Sequence, residues 1–267
     1  MMQIKELYKY DCGRQIFRLL PTDSDKIVIE ERDREKKEVF FSCLDIQTGK
    51  KIFTDLQFEE KYWIGIEKIY KDVIFFHKFE RPDLPNHKGI VAFDIKSQTT
   101  LWENQNKFIS AGDDKVVLIS NDYGITKLIL VDYLSGEIIT DATEFLELTS
   151  QKEDYTSYTY ANKVSQQEFN SLAHPDFKKR ISEYVIKDYV NFVSRDKTSL
   201  FSFHHINSDG KFNNIFFAVD EDGTILLQET LNTGLEKIEP ESFFIKNDLL
   251  FLLLGSSGFG VYKFIER

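Results

Sequence analysis

The sequence predicts an all-β fold, a β-propeller of about five four-stranded blades (six as the alternative) carrying a small helical insertion. Three observations lead there. Short apolar runs rich in β-branched and aromatic residues recur along the 267-residue chain, each bounded by turn residues. One sequence unit returns five times at roughly blade-sized intervals. The 24 Phe, 12 Tyr and 2 Trp suit wedges where sheets pack face to face.

The repeated unit is an apolar strand ending in Asp, a short polar turn, and a second apolar strand. Its copies run from Tyr10-Asp11-Cys12-Gly13, through Leu44-Asp45-Ile46-Gln47-Thr48-Gly49 and Phe93-Asp94-Ile95-Lys96-Ser97-Gln98, to Val131-Asp132-Tyr133-Leu134-Ser135-Gly136 and Val219-Asp220-Glu221-Asp222-Gly223. An Asp leaving a strand accepts hydrogen bonds from the amides of the turn, and Gly supplies the positive φ that the turn needs. Gln98 stands where the other copies have Gly, which predicts a different turn there. Upstream lie polar pairs followed by apolar bursts, Asp25–Ile29, Asp72–Phe76, Asp114–Ile119 and Asp248–Leu252, read as buried strands. From each pair to the turn Asp there is room for two strands and a hairpin. An earlier strand such as Phe108–Ala111 makes four in roughly 40 residues, the size of a blade.

Successive turn aspartates are 34, 49, 38 and 88 residues apart. The long gap is read as an insertion over 141–187. Ser165 and Glu168 fit a capping box, with Phe169 and Leu172 at helical spacing. Pro175 ends that helix and starts a second one carrying Phe177, Ile181 and Tyr184. The last unit has strands at Leu249–Leu254 and Phe259–Ile265 and then stops. The N-terminal strand, placed at Ile16–Leu20, is expected to complete that blade, so that 1–267 forms a single closed domain without open edges.

The pattern of a strand, Asp-x-x-Thr-Gly and then an apolar residue and Trp, closing a four-stranded unit, resembles the repeat of quinoprotein-like (PQQ-type) β-propellers. Asp45, Thr48 and Gly49, then Asp94 and Trp102, then Asp132, Ser135 and Gly136 carry the resemblance, which covers most of the chain outside about 141–187. It implies the propeller fold and a place in an uncharacterised bacterial branch of that superfamily. The family's quinone-binding enzymes are larger rings with an adjacent cysteine pair and a calcium site. Cys12 and Cys43 are far from adjacent, so no cofactor is expected.

Composition narrows function by exclusion. A net charge of −10 argues against nucleic acid as partner. The longest apolar run, Leu249–Leu254, is far short of the about 20 residues of a membrane-spanning helix. The N-terminus lacks a secretory pattern, and two cysteines without a CxxC pattern suit a cytoplasmic setting. Asp11, Asp45, Asp94, Asp132 and Asp220 are read as turn caps, one per blade, and no metal site is expected. The Asp220-Glu221-Asp222-Gly223 segment fails as a calcium loop, with Thr224 and Leu231 at ligand positions. Gly255-Ser256-Ser257-Gly258-Phe259-Gly260 precedes a strand and is read as a hairpin turn. Of five histidines, His77, His87, His174, His204 and His205, the adjacent His204 and His205 point to opposite strand faces. His77 reads as a core histidine. Pro82-Asp83-Leu84-Pro85 is read as a hairpin loop.

No catalytic signature occurs. Tyr155, Tyr158 and Tyr160, followed by Lys178-Lys179-Arg180, form the candidate partner surface, the alternative being that these tyrosines anchor the insertion. The expected function is therefore a non-catalytic binding or interaction module for a protein or small-molecule partner. The alternative is a hydrolase or lyase, for instance a carbohydrate-active one, with acidic residues at the central channel.

Overall fold

The computed structural model describes residues 2–79, 86–122, 125–141 and 157–266. Tyr155, the 82–85 segment and the stretch 142–156 of the insertion lie outside them. The described residues form five antiparallel sheets of propeller-blade type and two short helices. The chain divides into two compact units, Arg14–Glu153 and Met1–Gly13 with Asp154–Arg267.

The Arg14–Glu153 unit holds three four-stranded meanders, with consecutive strands adjacent. The first is β2 (Gln15–Pro21), β3 (Lys26–Asp33), β4 (Glu38–Asp45) and β5 (Lys51–Leu56). The second is β6 (Ile64–Tyr70), β7 (Val73–Phe79), β8 (His87–Asp94) and β9 (Thr99–Asn104). The third is β10 (Lys107–Gly112), β11 (Lys115–Asp122), β12 (Ile125–Asp132) and β13 (Ile138–Asp141). In β3, Ile27, Val28 and Ile29 are all fully buried in succession, so both faces of the strand are buried. One core joins the first two sheets around Phe41, Phe76 and Phe93, and another joins the second and third around Phe75, Phe108 and Leu118.

The other unit holds two sheets. One runs β15 (Asn162–Val164), β16 (Ile186–Arg195), β17 (Thr198–Ile206), β18 (Phe212–Asp220) and β19 (Ile225–Leu235). The other has the order β1 (Met2–Asp11), β22 (Gly258–Glu266), β21 (Leu249–Leu254), β20 (Phe243–Lys246) and β14 (Tyr158–Tyr160). A shared core packs them through Leu200, Phe216, Leu250 and Tyr262. Between β15 and β16 lie α1 (Gln166–Leu172) and α2 (Pro175–Arg180). A complete capping box of Ser165 and Glu168 starts α1, and Pro175 opens α2. Phe177 stacks on Phe201 at 5.4 Å, and Phe169 meets the same ring edge-on at 5.2 Å, which seats both helices on their sheet. Leu172, set at helical spacing with Phe169, remains 45% exposed.

Two sequence expectations are corrected here. The strand that joins the C-terminal sheet is β1, paired antiparallel with β22 from Met2↔Glu266 to Asp11↔Gly258, whereas 16–20 lies in β2 and opens a different sheet. The Asp11 copy of the repeat thus links two sheets, while Asp45, Asp94 and Asp132 each end the third strand of a four-strand meander and Asp220 ends β18, the next-to-last strand of its five-stranded sheet. Charges at Lys5, Glu6 and Lys9 hid β1 because an outermost strand alternates exposed and half-buried residues. The second correction concerns Gln98. It adopts φ +58, beside +68 at Gly49 and +69 at Gly136, and its amide donates to the Asp94 carbonyl at 2.9 Å, as Gly49 donates to Asp45 and Gly136 to Asp132. The turn is therefore the same one. The Gln98 side chain donates to the Ile52 carbonyl at 3.0 Å, which offsets part of the cost of a left-handed residue.

The turn aspartates cap amides as their chemistry requires. Asp45 accepts from the Thr48 hydroxyl at 2.6 Å and from its amide at 2.8 Å, and these bonds hold its carboxyl below the ordinary aspartate range. Asp132 accepts from Leu134 and Ser135 amides, and Asp220 from those of Asp222 and Thr224.

Candidate functional site

Two groupings of polar and aromatic side chains stand out, one in each unit. In the Met1–Gly13/Asp154–Arg267 unit, β14 ends its sheet beside β20, pairing Tyr158↔Lys246 and Tyr160↔Phe244. Alternation along the strand puts Tyr158 and Tyr160 on one face. Their rings stack parallel at 5.9 Å, each lies 6.2 Å from Phe244, and the Lys246 ammonium sits 4.5 Å over Tyr158. Tyr160 is 54% exposed, so the wall it forms faces outward.

A cleft of about 190 Å³ opens beside this wall, lined by Tyr160, Lys163, Asn191, Glu241, Ser242 and Phe244 among others. Its floor is polar and buried. The Ser242 hydroxyl accepts from Asn214 at 2.6 Å and from Asn191 at 3.5 Å, and Ser202 donates to Asn214 at 2.8 Å. Interior polar networks carry a desolvation cost that only saturated hydrogen bonding offsets. This one terminates at the cleft, with Lys163 and Glu241 supplying opposite charges. Nearby, His204 is buried and accepts from the Glu239 amide at 3.2 Å, and burial pushes its imidazole down to about 4, so it is neutral at pH 7. His205 faces the other way, its ring 4.7 Å from Tyr184.

In the Arg14–Glu153 unit, three strands of one sheet bring Glu67, His77 and His87 together. Glu67 Oε2 lies 2.9 Å from Nδ1 of His77 and 2.7 Å from Nδ1 of His87. The two imidazoles stack with centroids 3.5 Å apart and planes 5° from parallel, and Phe79 edges onto both. His77 lies opposite Gly65, where a Cβ would come within 3.2 Å of the ring, so glycine makes room for it. The same His77 Nδ1 is buried and has no aligned hydrogen-bond partner despite its closeness to the carboxylate. Burial opposes the ionisation of Glu67, but His77 and then His87 outweigh it and hold the carboxyl below the ordinary range. Burial, followed by the charge of His77, depresses the His87 imidazole.

From sequence alone His77 reads as a solitary histidine of a core strand, with nothing to group it with Glu67 and His87. Their even spacing of ten residues is the one local signal available. Their convergence depends on register. A bulge at Ile66/Lys68 in β6 and an irregularity at His77/Lys78 between β7 and β8 re-aim the side chains there.

Two further carboxylates missed from sequence are Glu30 and Glu31, both essentially fully buried in β3. Arg32 grips Glu30 Oε1 with Nε at 2.9 Å and Nη2 at 2.7 Å, while Glu31 is held by Arg14 at 2.9 Å and the Ser42 hydroxyl at 2.7 Å. Adjacent strand positions face opposite ways, so these two are internal ion pairs that do not converge. Arg18 and Arg32 also donate to carbonyls of β6, at Ile66 and Ile64 respectively, and so tie the first sheet to the second. The glycine-rich segment forms the β21–β22 hairpin, with its turn at 255–257 closed by the pair Leu254↔Gly258 and the remainder in β22.

Residues 20–102 match the family model of a domain of unknown function, DUF4905. No curated protein matches the chain. Among solved structures it is similar to BamB from Moraxella catarrhalis, with 13% identity over 92% of this chain and 58% of that one, at a TM-score of 0.29. It is also similar to the β-propeller domain of the Trilobed protease from Pyrococcus furiosus, with 12% identity over 95% of this chain and 66% of that one, at a TM-score of 0.32. The chain thus spans less than two thirds of the length of either. Similarity at this level says nothing of activity.

Proposed function

We propose that the chain is a binding module of quinoprotein-like propeller type without catalytic activity, and that the cleft beside Tyr160 is where a protein or small-molecule partner docks. The observation that supports this reading is the combination of an exposed aromatic wall, a pair of opposite charges and a hydrogen-bonded polar floor around one concave space. Such sites use an apolar wall for affinity and a few placed polar groups for orientation. At about 190 Å³ the cleft is smaller than the about 300–1,000 Å³ of sites that enclose a drug-sized molecule. It therefore takes one ring or one side chain of a larger partner. Of the tyrosine surface expected from sequence, Tyr160 borders the cleft, with Tyr158 stacked on it at 5.9 Å, and Phe244 and Asn191 extend that surface. Neither cysteine is in a disulfide, which fits the proposed reducing, cytoplasmic setting.

Ligand-observed NMR on the full chain with phenol, glucose and N-acetylglucosamine tests the reading. At least one probe is expected to show saturation transfer from the protein that disappears in Tyr160→Ala and weakens in Lys163→Ala. Absence of transfer from all three, or transfer indifferent to both substitutions, overturns it.

A further inference from the structure

We propose that Glu67, His77 and His87 form a three-ligand site for a divalent transition-metal ion of the zinc class, with its remaining coordination position turned to solvent. The donor set is two imidazole nitrogens and one carboxylate oxygen, which suits ions of intermediate softness. Metal–ligand bonds of about 2.0–2.2 Å in tetrahedral geometry place donors roughly 3.3 Å apart. The Glu67 oxygen already stands 2.9 Å and 2.7 Å from the two Nδ1 atoms, so binding needs the cluster to open by about half an ångström.

A purely structural ion pair explains this arrangement poorly. Two imidazoles bring their Nδ1 atoms to the same carboxylate oxygen, Glu67 Oε2, while the rings themselves lie stacked. The deeper one, His77, 2% exposed, presents a ring nitrogen with no aligned hydrogen-bond partner. A buried ring nitrogen held 2.9 Å from a carboxylate oxygen but not aligned for a hydrogen bond asks for a reason, and ligation of an ion is one that suits this donor set. The surrounding sequence is arranged for the rings. Gly65 leaves space for His77, and two departures from regular pairing meet at the cluster. Arg32, whose Nη2 lies 3.5 Å from where a Cβ on Gly65 would stand, is committed to Glu30 and to the carbonyls of Tyr62 and Ile64.

Entry is through the outer pair, since the side chains of His87 and Glu67 are 31% and 22% exposed. Parallel rings cannot both hold an ion in their planes, so binding swings the more exposed His87 while His77 stays fixed against Gly65. The site rests on residues of a different unit from the cleft, and its failure would leave the binding-module reading intact.

The test is titration of the full chain with Co²⁺, followed by displacement with Zn²⁺. One equivalent of Co²⁺ is expected, with the visible d–d bands of a four- or five-coordinate centre that Zn²⁺ abolishes. Zn²⁺ is expected to raise the melting temperature. His87→Ala and Glu67→Gln, the latter nearly isosteric and so able to carry the test if the former fails to fold, should each weaken Zn²⁺ affinity at least about tenfold. His174→Ala, in the other unit, should leave it unchanged. Binding that survives both His87→Ala and Glu67→Gln, or no binding by the wild-type chain, overturns the proposal.

Discussion

Gly136→Ala probes how tightly the repeated turn is packed against the neighbouring sheet. Gly136 has φ +69, and a Cβ there would meet Trp102 at 2.6 Å from Cγ and 2.8 Å from Cδ2. Alanine in the left-handed region costs about 1–2 kcal/mol, of which about 0.4–1 kcal/mol is returned through the less flexible unfolded chain. Relieving the clash means moving the Trp102 indole. That movement breaks its Nε1 hydrogen bond to the Tyr133 carbonyl at 3.0 Å and its contact with Phe75 at 5.9 Å. Those losses are worth about 0.5–1.5 kcal/mol each, so the substitution should cost about 1–5 kcal/mol in all. Trp63 and Trp102 are the only tryptophans and both lie in the Arg14–Glu153 unit, so urea unfolding followed by tryptophan fluorescence reads the right part of the molecule. Trp102→Ala removes the obstacle, and the double mutant should show coupling of at least about 1 kcal/mol. Gln98→Gly supplies the comparison without a clash. There the relief of left-handed strain is opposed by unfolded-state entropy and a lost side-chain bond to Ile52, and a net change within about 1 kcal/mol is expected. A cost below about 1 kcal/mol for Gly136→Ala, or additivity with Trp102→Ala, would falsify this account of the turn.

Three other outcomes follow from buried titratable groups. Burial holds the folded His204 imidazole at about 4, below its ordinary 6.5, so the unfolded chain takes up a proton first as pH falls. Stability is then lost between pH 6.5 and about 4, and circular dichroism at pH 7 and 5 should show wild type losing up to about 2 kcal/mol more than His204→Gln. An equal loss in both proteins contradicts this. Arg32→Ala leaves the buried Glu30 carboxylate only the more distant Arg18 at 3.9 Å and the Ile66 amide at 3.4 Å, and should cost up to about 3–5 kcal/mol in urea unfolding, much of it recovered in Glu30→Leu/Arg32→Leu. A loss under about 1 kcal/mol would show that the pair is not desolvated. Burial pushes the Cys43 thiol up to about 12, so in a Cys12→Ser background a disulfide reagent should label the native chain at pH 8 far more slowly than the urea-unfolded chain. Equal rates refute the burial argument.

The turn and strand chemistry was legible because it is local. Asp at the end of a strand, Gly or an Asn-like substitute three or four residues on, and an apolar run on each side determine the hairpin wherever it occurs. Ser165 with Glu168 marked α1, and Pro175 marked α2, by the same kind of short-range physics. Gln98 shows the limit of the rule. Residue identity suggests another turn, but the exposed Gln98 takes the left-handed conformation that glycine takes elsewhere, its amide bonded to the Asp94 carbonyl and its side chain to that of Ile52.

What the sequence by itself determined, then, is strand content, blade-sized repetition, the helical insertion and the capping aspartates. Tertiary structure alone decided which strand joins which sheet. β1 finds β22 across almost the whole chain, a pairing whose alternating, half-exposed pattern looks unremarkable in one dimension. It likewise decided the functional candidates. Glu67, His77 and His87 meet only because two irregularities in register turn them onto one another, and Asn191, Asn214 and Ser242 become the floor of a cleft only when two sheets pack together. Period and turn propensity act over a few residues, whereas register and sheet packing are settled by burial summed over the whole fold, so a site made by them leaves little trace in any single segment.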